Sequence, residues 1–399
     1  MKRAYSAWLQ FRLPFDMSST HQHYVTENGE KSMTKTFGAL LHRRGNGLDK
    51  GAPLTLPISQ NSTFHLPGEP EPDLPYYGRV ENSTWDGVEK LLNDLEQAPT
   101  LIFPSGMAAI AAALFSCVKS GDRVLIPSDG YYVTRRLCQQ FLSNLGVDIV
   151  ERSTKGFLEG GFENFAVVFV ETPSNPGLEL IDLSVVTKAV RAAGGVTIAD
   201  NTTMTPLGQR PLDFGIDIVV SADTKAPGGH SDLLMGHLSS RNSTIMDKVA
   251  MWRKFSGSIP GPHDAWLLYR GLETLELRFD RMCTSAEIIA PRLASHRAVK
   301  ACRYPGMSDD PAHLLAKNQM TRFGFLMSLT LYSETHAELF INECSLLRPA
   351  TSFGGVHSAA ERRARWGDAV DPAFVRVSVG CEPTEELWAA LEESLDRLL

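Results

Sequence analysis

The 399-residue sequence predicts an α/β fold with a mostly parallel sheet in a large domain and a smaller α+β C-terminal domain. Three observations carry this. Short apolar runs recur at Val124-Leu125-Ile126, Val167-Val168-Phe169-Val170, Val196-Thr197-Ile198-Ala199 and Ile218-Val219-Val220, the mark of strands buried on both faces. Helical spacing separates them, as in Val186, Ala189, Val190 and Ala193 on one face. Around Gly261 this alternation ends and a different mixture of helix and strand begins. Parallel sheets covered on both sides place their chemistry at the carboxyl ends of the strands.

Taken in order, residues 1–35 carry Lys2, Arg3 and Arg12, with no acid before Asp16. The segment lacks the apolar core and small-residue cleavage site of a presequence, so it is read as a mobile extension, or as sequence from a start upstream of Met17 or Met33. Residues 36–80 read as an arm, because Pro, Gly, Ser and Asn dominate from Gly51 to Pro75. Residues 81–262 form the large domain. Its first helix runs from Asn82 to Leu95, with Trp85, Val88, Leu91, Leu92 and Leu95 on one face, and Ser105 then precedes an alanine-rich helix that stops before Gly121. Residues 263–399 form the small domain. A long helical stretch from Trp266 to Glu287 leads to strands at Phe325–Leu331 and Phe374–Val379. The last helix takes Thr384 as its N-cap, Glu385 and Glu386 in its first turn, and Leu387, Leu391, Leu395 and Leu398 on one face.

Composition narrows the function. A net charge of −7 and the lack of any Lys/Arg stripe argue against nucleic acid. No run of about 18 apolar residues marks a membrane helix. The six cysteines are scattered without C-x-x-C spacing, so reduced, mostly buried thiols in a cytoplasmic protein are expected, without a metal site or disulfide framework. The glycine-rich phosphate motifs and H-E-x-x-H are absent. His230-Ser231-Asp232 contains the residue types of a hydrolytic triad, but side chains adjacent on one backbone diverge.

What remains lies at strand ends. Asp200 follows Ile198-Ala199, where a buried carboxylate needs a partner. Lys225 follows the next apolar strand, in a setting that can depress its pKa and make the amine nucleophilic. Ser105-Gly106-Met107 opens a helix, whose free N–H groups suit phosphate. A phosphate site, a carboxylate for a pyridine nitrogen and a lysine for an aldehyde are the three contacts that pyridoxal phosphate requires. Each alone has a plainer reading as a helix cap or solvated charge; their placement at successive strand ends favours the cofactor.

Asp200-Asn201-Thr202, Pro211-Leu212-Asp213-Phe214-Gly215-Ile216-Asp217-Ile218, Thr224-Lys225 and Gly229-His230-Ser231-Asp232 resemble the signature of the Cys/Met-metabolism family of pyridoxal-phosphate enzymes. The likeness runs from about Gly38 to the C-terminus and implies the aspartate-aminotransferase-like fold (fold type I). It implies that Lys225 bonds the cofactor and moves protons, that Asp200 pairs with the pyridine nitrogen, and that Ser105, Gly106, Met107 and Thr224 hold the phosphate. Tyr131 would stack on the ring and assist proton transfer, and Asn175 would sit by the phenolic oxygen. Arg376 would grip the substrate carboxylate, with Ser352 and His357 near the substrate. Tyr77 and Arg79 would reach the neighbouring subunit's phosphate, implying a dimer with shared sites, usually paired into a tetramer.

Four positions depart from the family pattern. Ala222 and Ala226 stand where serine and tyrosine are common. His357 replaces the glutamate usual in γ-lyases and γ-synthases, which weakens the case for an ion pair with cystathionine's distal ammonium. Val133 stands where methionine γ-lyases tend to have cysteine. The resemblance implies a carbon–sulfur lyase of the γ-eliminating kind, acting on cystathionine. β-Elimination and γ-replacement are the alternatives, with a non-catalytic cofactor-binding regulator as the reading from another class.

Overall fold

A computed structural model describes residues 37–42, 49–69, 71 and 74–399; the expected extension over residues 1–35 lies outside the described residues. Seven strands form the first sheet: β1 (Thr100–Phe103), β2 (Arg123–Pro127), β3 (Asp148–Arg152), β4 (Val167–Glu171), β5 (Val196–Asp200), β6 (Ile218–Ser221) and β7 (Gly236–Ser239). Their spatial order is β1-β7-β6-β5-β4-β2-β3. β7 runs antiparallel to both of its neighbours and the remaining pairings are parallel. All four predicted apolar runs are strands of this sheet.

The two-residue period explains their composition. Val124, Ile126, Val167, Phe169, Ile198, Ile218 and Val220 pack on one face with the helices Gly106–Cys117 and Ser243–Ser256. Leu125, Val168, Val170, Ala199 and Val219 pack on the other, with the helix Leu183–Ala192. β1 and β7 are four residues each and β3 is a half-exposed edge, so none of the three announces itself in the sequence.

The second sheet contains β8 (Val299–Arg303), β9 (Leu326–Leu331), β10 (Arg348–Pro349), β11 (Ala359–Arg362) and β12 (Phe374–Ser378), in the order β10-β11-β12-β9-β8. Val375 and Val377 of β12 join a core with the last helix, Thr384–Asp396. Arg376 lies between them on the opposite face, paired in register with Glu361 of β11 and Ser328 of β9. On that face Ser328 donates to the Pro176 carbonyl of the first unit at 3.1 Å.

Two details differ from expectation. The stretch 266–287 is two helices, Pro262–Leu272 and Leu275–Ser295, separated at Glu273-Thr274. The first packs on Ser83–Glu96 within the large unit's core, and the second begins in that core and ends in the core of the small sheet. The chain therefore crosses between the units inside a helix, beyond the division expected at 262. Thr384 is the first helical residue and not the cap; Pro383 holds the cap position, and the Thr384 hydroxyl pairs with Ser285 at 2.8 Å.

β7 passes close to the helix Gly106–Cys117. A Cβ on Gly236 would lie 2.6 Å from both Cα and N of Gly106, backbone atoms that cannot swing aside. Gly236→Ala should therefore destabilise the fold by about 1–3 kcal/mol, read as a lower midpoint of urea unfolding; an unchanged midpoint would show that the two backbones can part freely.

Candidate active site

The carboxyl ends of β4, β5 and β6 converge on a cavity of about 340 Å³. Ser105, Gly106, Met107, Tyr131, Asn175, Asp200, Thr224, Lys225, Ser352 and Arg376 all line it, so ten of the predicted residues come together. Tyr77 and Arg79 do not. In this chain the Arg79 guanidinium lies 5.3 Å from the centre of the Tyr77 ring and donates to the Lys254 carbonyl at 2.6 Å. His357 is exposed and outside the cavity wall.

Ser105 caps the helix Gly106–Cys117 by accepting from the Ala108 N–H at 3.1 Å, which leaves its own O–H to donate elsewhere. Gly106 packs so closely on Ala222 that a Cβ would lie 2.5 Å from the alanine Cβ. The glycine thus keeps a backbone approach to the helix N-terminus, where an anion is favoured. Thr224 reaches the cavity with its hydroxyl already engaged: it donates to the Met235 carbonyl at 3.2 Å and accepts from the Met235 N–H at 3.1 Å. Donation to a phosphate would require that hydroxyl to turn.

Asp200 ends β5 and accepts from the Thr202 N–H at 2.9 Å and the Thr202 hydroxyl at 2.5 Å, both on Oδ1. Burial raises its pKa, against the Thr202 bonds and the positive charges of Lys225 and His237. An Oδ2 that receives neither bond suits the protonated nitrogen of a pyridine ring. His237 itself is fully buried between two carboxylates, 2.8 Å from Asp223 and 3.1 Å from Glu96. Burial alone would lower its pKa, but Asp223 and then Glu96 outweigh that and lift it to about 10, so the ring is a cation.

Lys225 Nζ donates to the Ser352 hydroxyl at 2.7 Å. Burial and the Arg376 charge draw its pKa down to about 8, against the pull of Glu361 and Asp200. Arg376 donates to Asn175 Oδ1 at 2.7 Å, to the Ser352 carbonyl at 2.8 Å and to Glu361 Oε1. Glu361 also accepts from Arg363 at 2.7 Å and from the Trp366 indole at 2.9 Å.

The buried pocket, the glycine cradle at a helix N-terminus, the carboxylate and the low-pKa amine fit pyridoxal phosphate. The sequence profile described as Cys/Met metabolism PLP-dependent enzyme matches residues 40–396. The chain belongs to that family. It is 43% identical over 342 residues to a Streptomyces coelicolor protein provisionally named cystathionine gamma-lyase, covering 84% of this chain and 86% of that one. It is 33% identical to a cystathionine beta-lyase of Lactococcus lactis subsp. cremoris, over 86% of this chain and 94% of the relative. The crystal structure of cystathionine gamma synthase from Xanthomonas oryzae pv. oryzae, in complex with aminoacrylate and cysteine, superposes with a TM-score of 0.86 at 30% identity, covering 91% and 98% of the two chains. The fold is accordingly that of the fold type I enzymes, and pyridoxal phosphate is the cofactor.

Three charged residues at the site escape the sequence reading. Glu171 ends the apolar β4 as Asp200 ends β5, and the rule that singles out Asp200 applies equally to it. Glu361 and Arg363 carry no such mark, because their place depends on how β11 lies beside β12.

A carbonyl is attacked by the neutral amine, and the proton must leave Lys225 first. Uptake of pyridoxal phosphate by the apoprotein should thus quicken as pH rises and level off above about 8. A rate that keeps climbing to pH 10, followed by the growth of the visible band, would show an ordinary lysine instead.

Proposed function

We propose that this family member is a carbon–sulfur lyase that cleaves cystathionine by γ-elimination, with uptake of one water, to cysteine, 2-oxobutanoate and ammonia, as a cytoplasmic homo-oligomer. The observation that carries the reading is the meeting of Lys225, Asp200 and Arg376 in one buried cavity. Bound pyridoxal phosphate supplies an electron sink for the charge that develops when a proton leaves the substrate α-carbon. Asp200 keeps the ring nitrogen protonated, and Arg376 takes the substrate α-carboxylate on its guanidinium. Lys225, whose pKa of about 8 leaves a useful fraction neutral, removes the α-proton. γ-Elimination needs a further deprotonation at Cβ, which the same amine performs once it has passed on the first proton. Tyr131 at the cavity wall protonates the leaving sulfur. His357, outside this wall, is left for the distal end of the substrate.

The Streptomyces relative supports γ-elimination, and the Lactococcus relative supports β-elimination as the second reading. Product analysis with cystathionine decides between them. 2-Oxobutanoate with cysteine is expected, and Lys225→Ala should lose at least about a thousandfold in kcat, since it removes base and nucleophile together. Pyruvate with homocysteine would replace the γ reading by the β reading.

Tyr77 and Arg79 lie apart from their own chain's cavity. We assign them to the phosphate end of a second copy's cavity. Lys225→Ala and Arg79→Ala subunits, each inactive alone, should recover part of the activity when mixed, since a hybrid dimer contains one intact site. Absence of recovery in confirmed hybrids would remove the shared-site assignment.

A further inference from the structure

Glu171 is fully buried at the end of β4, in register with Asp200 on β5. No step above uses it. A second carboxylate beside Asp200 is costly: burial first, and the Asp200 charge second, push the Glu171 pKa up to about 8. Its two oxygens are divided between two loops. Oε2 accepts the Tyr131 N–H and Oε1 accepts the Asn175 N–H, each at 2.7 Å. Tyr131 lines the cavity and is the residue that the family resemblance sets against the cofactor ring. Asn175 holds Arg376 through its side-chain oxygen. Gly130 keeps the first approach open, because a Cβ there would lie 2.8 Å from Oε2.

We propose that Glu171 is a positioning residue, which holds Tyr131 against the cofactor and Asn175 against Arg376 by accepting both backbone N–H groups on one carboxylate. Only a group with an acceptor at each end can do this. Glutamine has nearly the same shape, but it would turn one amide donor toward a backbone donor, leaving one loop unheld. The inference rests on the assignments of cofactor and substrate carboxylate made above.

Glu171→Gln is the test, since it preserves volume and replaces one of the two acceptors by a donor. Hydrogen exchange, measured on the protein with and without pyridoxal phosphate, should quicken about tenfold or more in residues 129–132 or 173–178 while the strands keep their protection. This measurement requires neither cofactor nor substrate, so it stands whether or not those assignments hold. In the holoenzyme, the visible circular dichroism of the cofactor should change. L-Alanine, a probe with an α-carboxylate and no leaving group, should bind about tenfold more weakly by spectral titration. In an Asn175→Ala background the Glu171→Gln change should cost L-alanine affinity much less, as expected of residues acting in series. Unchanged exchange in both segments would overturn the proposal. So would an unchanged dichroism together with an L-alanine loss that is fully additive in the Asn175→Ala background, since Glu171 would then act only as part of the fold.

Discussion

Arg376 is the point on which the two units and the site depend together. A guanidinium removed from water must be surrounded by acceptors or it costs several kcal/mol. Its acceptors come from three places: Glu361 on the adjacent strand β11, Ser352 on the connection before it, and Asn175 on the loop after β4 of the other sheet. The register that sets Arg376 opposite Glu361 supplies the countercharge within the small sheet. The bond to Asn175 then ties that sheet to the large one. The cation proposed to take a substrate carboxylate is thereby also a link between the units, and the cavity cannot be assembled by either unit alone.

The other side of the cavity answers the same requirement with opposite signs. Parallel strands deliver Glu171 and Asp200 side by side at their carboxyl ends, and neither has an arginine bonded to it. Thr202 takes up Asp200 on one oxygen, and its hydroxyl also accepts the Ala222 N–H at 2.9 Å, which joins the ends of β5 and β6. Beneath them His237, charged because Asp223 and Glu96 flank it, lowers the cost of an ionised Asp200. Asp223 lies two residues before Lys225 in the turn that follows β6, so the buried ion cluster also fixes where the lysine emerges. The electrostatic setting and the lysine's position thus have one structural origin.

Much of this was legible in the sequence because it depends on local order. A strand buried on both faces must be apolar throughout, which marks β2, β4, β5 and β6 and makes the charges that end β4 and β5, and the one in the turn after β6, conspicuous. Asp200 and Lys225 stand out on that ground, and Glu171 is open to the same argument. A helix N-terminus after Ser105 was equally local. What stayed hidden depends on partners distant in the chain. β1, β7 and the edge strand β3 are short or polar, and pairing alone makes them strands. His237 reads as an ordinary polar residue until β7 places it between Asp223 and Glu96, and Glu361 until β11 meets β12. The break at Glu273-Thr274 was masked because the apolar spacing continues across it.

The phosphate end is where the proposed second copy would matter most. The family's usual serine is Ala222 here, and the Thr224 hydroxyl is bonded on both sides to Met235. What the chain offers an anion there is the Ser105 hydroxyl and the N–H groups that open the helix Gly106–Cys117. These are dipoles without a full charge, and a helix terminus carries only about half a unit. The cationic side chains that line the cavity, Lys225, Arg363 and Arg376, are committed elsewhere: the two arginines share Glu361, and Lys225 points to Ser352. A phosphate held at this helix end would therefore have no uncommitted cation from its own cavity wall as countercharge. Arg79, on an arm whose aromatic neighbour Tyr77 is left two-fifths exposed, is the cation that the assignment proposed above would bring from a second copy, and with no hydroxyl at position 222 such a contribution would weigh more.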